Sequence, residues 1–140
     1  ETAPSITVFE GARLDQAVQD AEKLGFPLYI KPAKSGSSFG ITKAYSKLEL
    51  MNGIQAAVLH DGKVVIEQNV SGFEVGCAVL GHSEDPIIAE VDEIELTGEF
   101  FDYEEKYSLR SSRIHLPATI DAAAADKIKD TARLIYKALG

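Results

Sequence analysis

Residues 28–45 read LYIKPAKSGSSFGITKAY. LYIK is apolar and strand-like, ITKAY resumes that character at 41–45, and between them lies a loop of small residues with two lysines at its entrance. The pattern predicts two antiparallel strands joined by the loop. The loop's chemistry is that of a phosphate cradle. Gly36, Ser37 and Ser38 leave room for a polyphosphate to approach and offer backbone N–H groups, while Lys31 and Lys34 supply positive charge. It is not a Walker motif, in which Gly-Lys-Ser/Thr opens a helix, because here the lysines come first and a strand follows. Glycine and serine also dominate ordinary hairpin turns, so the loop alone leaves both readings open. Lys31 adds weight, since an ammonium ending an apolar strand calls for an anion, a partner carboxylate or an exit to water.

Composition restricts the partners. Twenty-two carboxylates against 14 Lys and Arg give a formal net charge of -8 over 140 residues. That balance argues against a nucleic-acid or anionic-membrane surface, both of which need extended basic patches. One cysteine, Cys77, excludes an internal disulfide and fits a reducing compartment. No apolar stretch is long enough to span a bilayer and no signal-peptide pattern opens the chain, so a cytoplasmic location is expected. The opening ETAPSITVF and the final KALG read as a segment cut from a longer chain.

Outward from the loop, strand and helix patterns alternate. ITVF (6–9) is strand-like, and Leu14, Ala17, Val18, Ala21 and Leu24 recur at helical spacing until Gly25-Phe26-Pro27. Ser46 and Glu49 form a capping box, each satisfying the other's backbone donor, at the start of a helix running to about residue 59. Asp61-Gly62 marks a turn, and 63–70, 73–81 and 86–96 read as three successive strands. Residues 97–117 show aromatics among charges without a sustained period, the mark of a functional loop or a disordered one. Asp121 caps a last helix striped by Ile128, Ala132, Ile135 and Leu139.

A second constellation lies in VVIEQNVSGFE. A purine edge can be matched by an exposed backbone segment with one acceptor for the exocyclic amine, and ribose hydroxyls ask for a carboxylate. Glu67, the segment Gln68–Val70 and Glu74 offer these groups in that order. Two glutamates on adjacent strands are also common on a solvated face; joined to a phosphate loop, they point to ATP.

These blocks together, FPLYIKPAKSGSSFGITKA, VVIEQNVSGFEVGCAVLG, FFDYEEKYS and LPA, resemble the D-alanine-D-alanine ligase family of ATP-grasp enzymes over nearly all of the 140 residues. The resemblance implies an α+β ATP-grasp fold with antiparallel sheets flanked by helices. Residues 1–80 would form the nucleotide-lid subdomain, and 81–140 the start of the C-terminal subdomain with a long substrate loop at 97–117. Lys31 would contact the α- and β-phosphates, and Gly36, Ser37 and Ser38 would form the lid over the triphosphate. Ser37 would also orient the substrate-facing tyrosine. Glu67, Gln68 and Val70 would hold adenine and Glu74 the ribose. Lys106 would reach the γ-phosphate, and Tyr107 would close over the substrates.

The implied reaction is ATP-dependent ligation of two D-amino acids through an acyl phosphate. SLRSSRIHLPA (108–118) is closer to the D-alanine-D-serine ligases of vancomycin resistance than to housekeeping D-alanine-D-alanine ligases, and the related D-alanyl-D-lactate ligases carry histidine where this sequence has Tyr107. D-alanine and D-serine, or a second D-alanine, are the expected substrates, ATP and Mg2+ the cofactors and a homodimer the expected assembly. No metal ligands are expected within this chain. A nucleotide-binding module without catalysis, or a carboxylate-amine ligase of another pathway, would share the lid and hinge; the EEKY loop followed by LPA speaks against both.

Overall fold

A computed structural model of the chain describes residues 2–96 and 112–140. The described residues fall into two compact units, one ending at Ser71 and the other beginning at Gly72.

The first unit follows the order β1 (Ser5–Phe9), α1 (Leu14–Glu22), β2 (Leu28–Pro32), β3 (Thr42–Ala44), α2 (Lys47–Val58) and β4 (Lys63–Gln68). Its four strands form an antiparallel sheet in the order β1-β4-β2-β3. Strand alternation sorts the side chains. Val8, Leu28, Ile30, Ala44, Val64 and Ile66 are buried with Ala17, Val18 and Ala21 of α1 and with Leu50, Ile54 and Ala57 of α2. Each fully buried Leu, Ile or Val contributes about 1.5–3 kcal/mol, so this single layer between sheet and helices dominates the unit's stability. The intervening residues Tyr29, Lys31, Val65 and Glu67 go to the other face, and none of them is fully buried.

Close approach of α2 to the sheet depends on Gly53. A Cβ there would stand 2.7 Å from Thr42 Oγ1 and 3.0 Å from Ile30 Cδ1. At the helix start Ser46 Oγ accepts from the Glu49 N–H at 3.3 Å, as the capping box requires. Glu49 reaches one residue further back than a reciprocal box predicts, accepting the Tyr45 N–H at 2.7 Å.

The second unit contains β5 (Glu74–Leu80), β6 (Ile87–Leu96), β7 (Ser112–His115) and α3 (Ala122–Leu139). Its sheet is antiparallel in the order β5-β6-β7, with a register shift between Cys77 and Val79. Asp121 accepts the Ala124 N–H at 2.8 Å and caps α3. Lys129 pairs with Glu90 at 2.7 Å, and the Tyr136 hydroxyl donates to the Gly81 carbonyl at 2.5 Å, tying α3 to its own sheet.

Two sequence expectations change. The division falls after Ser71 rather than at 80/81, because β5 pairs with β6 along most of its length. Residues 112–115, read as part of an irregular loop, form β7 along the edge of β6. The expected α+β arrangement of antiparallel sheets with helices is what the chain adopts.

Candidate nucleotide-binding site

The register of β2 against β4 sets the first part of the site. Tyr29 lies opposite Glu67 and Lys31 opposite Val65, so Lys31 and Glu67 share the face turned away from the core. Their side chains meet in an ion pair between Lys31 Nζ and Glu67 Oε2. With 33% and 29% of the two side chains exposed, the pair is half-sheltered yet reachable by a ligand. A carboxylate was one of the partners foreseen for Lys31, and it is the glutamate that the resemblance placed near adenine.

Lys43 joins this face from β3, directly opposite Tyr29. Its Nζ lies 5.3 Å from the Tyr29 ring centre and 5.4 Å from that of Tyr45, while Lys31 Nζ lies 6.0 Å from Tyr29. Both ammonium groups are within cation–π reach of one tyrosine. Burial works to lower the Lys43 pKa, but the hydroxyls of Tyr45 and Tyr29 outweigh it and hold it above the ordinary lysine value. Sequence reading passed over Lys43; only the hairpin register, counted back from the loop, would have set it against Tyr29.

The loop that follows β2 is closed by a tight turn. The Phe39 N–H donates to the Gly36 carbonyl at 3.1 Å, and the two residues between, Ser37 and Ser38, have φ of 54° and 60°. Positive φ at both central positions is the hand of a type I′ turn, which glycine and asparagine adopt more readily than serine. Each serine therefore stores strain of about 1–3 kcal/mol, a frequent property of ligand-clamping loops.

At the other end of β4 the expected hinge is partly committed. The Gln68 N–H donates to the Pro4 carbonyl at 2.9 Å and the Asn69 N–H to that of Pro27 at 3.2 Å. Gln68 Nε2 donates to the Leu24 carbonyl at 2.8 Å, so this side chain ties β4 to the end of α1. Within the Gln68–Val70 segment the first two N–H groups thus hold the fold. Val70, 70% exposed, follows them. Glu74 is the exposed first residue of β5 in the second unit. Lys106 and Tyr107 lie outside the described residues.

Among the described residues no three His, Cys, Asp or Glu side chains gather in a way that could hold a metal ion. None of their helices is long and apolar enough to cross a membrane. A cavity of about 680 Å³ between β1 and α1 is lined by Ile6, Phe9, Arg13 and Leu24 among others, and by none of the candidate residues.

The fold of this chain recurs in solved ligases. The VanG D-Ala:D-Ser ligase from Enterococcus faecalis aligns with 100% of this chain at 47% identity and a TM-score of 0.82, over 40% of its own length. A D-alanine–D-alanine ligase from Bacillus anthracis complexed with ATP aligns with 99% of the chain at 28% identity and a TM-score of 0.69, over 42% of its length. D-alanine–D-alanine ligase B of Clostridium tetani is 44% identical over 126 residues, 90% of this chain and 35% of that protein. The fold is thus the α+β ATP-grasp fold of the D-alanine-D-alanine ligases. Residues 6–140 match the family described as the D-ala D-ala ligase C-terminus, and the chain belongs to that family. It spans between 35% and 42% of the relatives named here.

Proposed function

We propose that this chain is the ATP-binding part of a ligase that joins D-alanine to D-serine for a cell-wall precursor. The observation that carries the reading is the Lys31–Glu67 pair on the open face of the sheet, next to the point where β2 leaves into the Ser37–Ser38 turn. A triphosphate arriving there would take Lys31 from Glu67, and the freed carboxylate would accept from the adenine amine. The loop N–H groups and Ser38 would offset the developing charge on the phosphates. The Val70 N–H would serve the base edge and Glu74 the ribose. Lys106 would meet the γ-phosphate, with Ser37 orienting Tyr107 over the substrates.

In this reaction a D-alanine carboxylate oxygen attacks the γ-phosphorus and ADP leaves. The amine of the second amino acid then attacks the acyl carbon, giving up a proton as phosphate departs. The residues act by alignment and charge neutralisation. Magnesium is expected with the nucleotide, its protein ligands coming from outside this chain. A homodimeric, cytoplasmic parent completes the proposal.

D-serine as second substrate draws support from the likeness to the VanG D-Ala:D-Ser ligase. A second reading, ligation of two D-alanines, draws on the Clostridium tetani relative. Identification of the dipeptides formed by the full-length protein, with ATP and D-alanine in the presence or absence of D-serine, separates them. Mixed dipeptide in excess is expected; D-alanyl-D-alanine alone would favour the second reading, and no ATP-dependent product would refute both.

A further inference from the structure

Resting on the reading of residues 34–40 as a phosphate lid, we propose that His60 and Asp61 are positioning residues that clamp the two limbs of this loop. Both come from the short connection between α2 and β4, which the sequence marks only as a turn. On the departing limb, Asp61 Oδ2 accepts the Lys34 N–H at 2.7 Å while its Oδ1 accepts the Lys63 N–H at 3.0 Å. One carboxylate thus bridges the start of the loop to the start of β4. The Ala33 N–H adds a bond to the Lys63 carbonyl at 2.9 Å just before it.

On the returning limb the neighbouring residue takes over. The His60 ring meets the Phe39 ring edge-on, with centroids 5.1 Å apart and planes at 72°. Gly40, at φ +71°, lets the backbone run so close that a Cβ would stand 2.9 Å from His60 Cδ2. Between these anchors sit Ser37 and Ser38 at strained φ. A strained turn keeps its shape only where its ends are fixed, and two adjacent residues fix both ends.

The Asp61 carboxyl is held below the usual aspartate range, chiefly by the Lys63 N–H and further by the Lys34 N–H and the charges of Lys34 and Lys63. A depressed folded-state pKa means that the contribution is present above the unfolded value and is lost as pH falls through the folded one. The clamp is therefore intact at neutral pH.

The role differs from that of a phosphate ligand, because neither residue need touch nucleotide. In the full-length protein, Asp61→Ala should speed amide exchange at residues 34–40, and at Lys63 whose N–H it also holds, at least tenfold and weaken ATP binding about tenfold, leaving adenosine binding and exchange in β1 and in β4 from Val64 onward unchanged. Asp61→Asn, which keeps one acceptor oxygen, should fall between. His60→Ala should loosen residues 39–41 alone, and His60→Phe should restore them. Unchanged loop exchange in Asp61→Ala would overturn the clamp, as would a uniform rise through the whole sheet in both Asp61→Asn and His60→Ala. Loop exchange that responds as described in a protein that binds no ATP would keep the clamp and discard the nucleotide reading.

Discussion

Lys31 and Glu67 meet across β2 and β4 two residues out of register, so the cation a phosphate would need is held by the carboxylate an adenine amine would need. The two proposed subsites are thereby linked before any ligand arrives, and filling one changes the other. Removing Lys31 should then cost affinity in proportion to phosphate number, whereas removing Glu74 takes away a ribose contact common to every nucleoside. With a charge-assisted hydrogen bond worth about 1.5–3 kcal/mol, Lys31→Ala should weaken ATP roughly 10- to 100-fold, ADP less and adenosine hardly at all. Glu74→Ala should weaken all three alike. Calorimetric titration with the three ligands checks this, and equal losses in both variants would end the division of labour.

The Ser37–Ser38 turn sets stability against binding. A left-handed φ costs an L-residue about 1–2 kcal/mol, while glycine in its place loses roughly 0.5–1 kcal/mol through the unfolded chain. With φ at 60°, Ser38→Gly should raise unfolding stability by up to about 1 kcal/mol. It should also lower ATP affinity, because the hydroxyl proposed to face the triphosphate is gone. Denaturant unfolding and ATP titration of the same variant read the two effects, and a variant that is both less stable and equally tight would contradict the account.

Much of the first unit was legible because its periodicities are strong. Val8, Leu28, Ile30, Val64 and Ile66 stand in short apolar, strand-like runs, and the stripe on α1 and the Ser46 cap declare their helices. Where the chain passes from one sheet to the other was not legible, since strands adjacent in sequence, β4 and β5, pair with different partners. β7 escaped because Ser112-Arg113-Ile114-His115 has one aliphatic residue in four; its extended form comes from pairing with β6. There Glu95 meets His115 at 2.7 Å, and that bond leads the effects holding the Glu95 carboxyl below its usual range. In the candidate site, chemistry was visible where a residue type is rare in its context, as with Lys31 after an apolar run. Asp61 looked like ordinary turn chemistry, and the N–H it holds is 27 residues earlier.

Gly53 offers a test in which propensity and packing disagree. Alanine in the middle of α2 should gain about 1 kcal/mol of helix propensity. Its methyl would press on Thr42 Oγ1 at 2.7 Å and on Ile30 Cδ1 at 3.0 Å, beneath β2 and β3. Overpacking of this kind costs about 1–3 kcal/mol, so Gly53→Ala should destabilise on balance. A fall of about 1 kcal/mol in urea unfolding is expected, and a gain would show that α2 can shift outward freely.

Second-substrate choice is the last consequence, and it rests on the proposed role of Tyr107. A histidine at that place, as in the D-alanyl-D-lactate ligases, can be cationic near neutral pH, which attracts lactate and repels an amino acid that still carries its ammonium. Tyrosine, with a pKa near 10, stays neutral and offers a single hydroxyl, so it cannot select by charge. The full-length protein should therefore make D-alanyl-D-serine or D-alanyl-D-alanine and negligible depsipeptide at pH 7. Tyr107→His should gain lactate ligation that grows as pH falls through about 6.5, because the protonated ring is the discriminating form. Assays of both proteins with D-alanine, D-serine and D-lactate between about pH 6 and 9 decide the matter. Robust lactate ligation by the unaltered protein, or a variant whose lactate use is flat with pH, would remove Tyr107 from substrate selection.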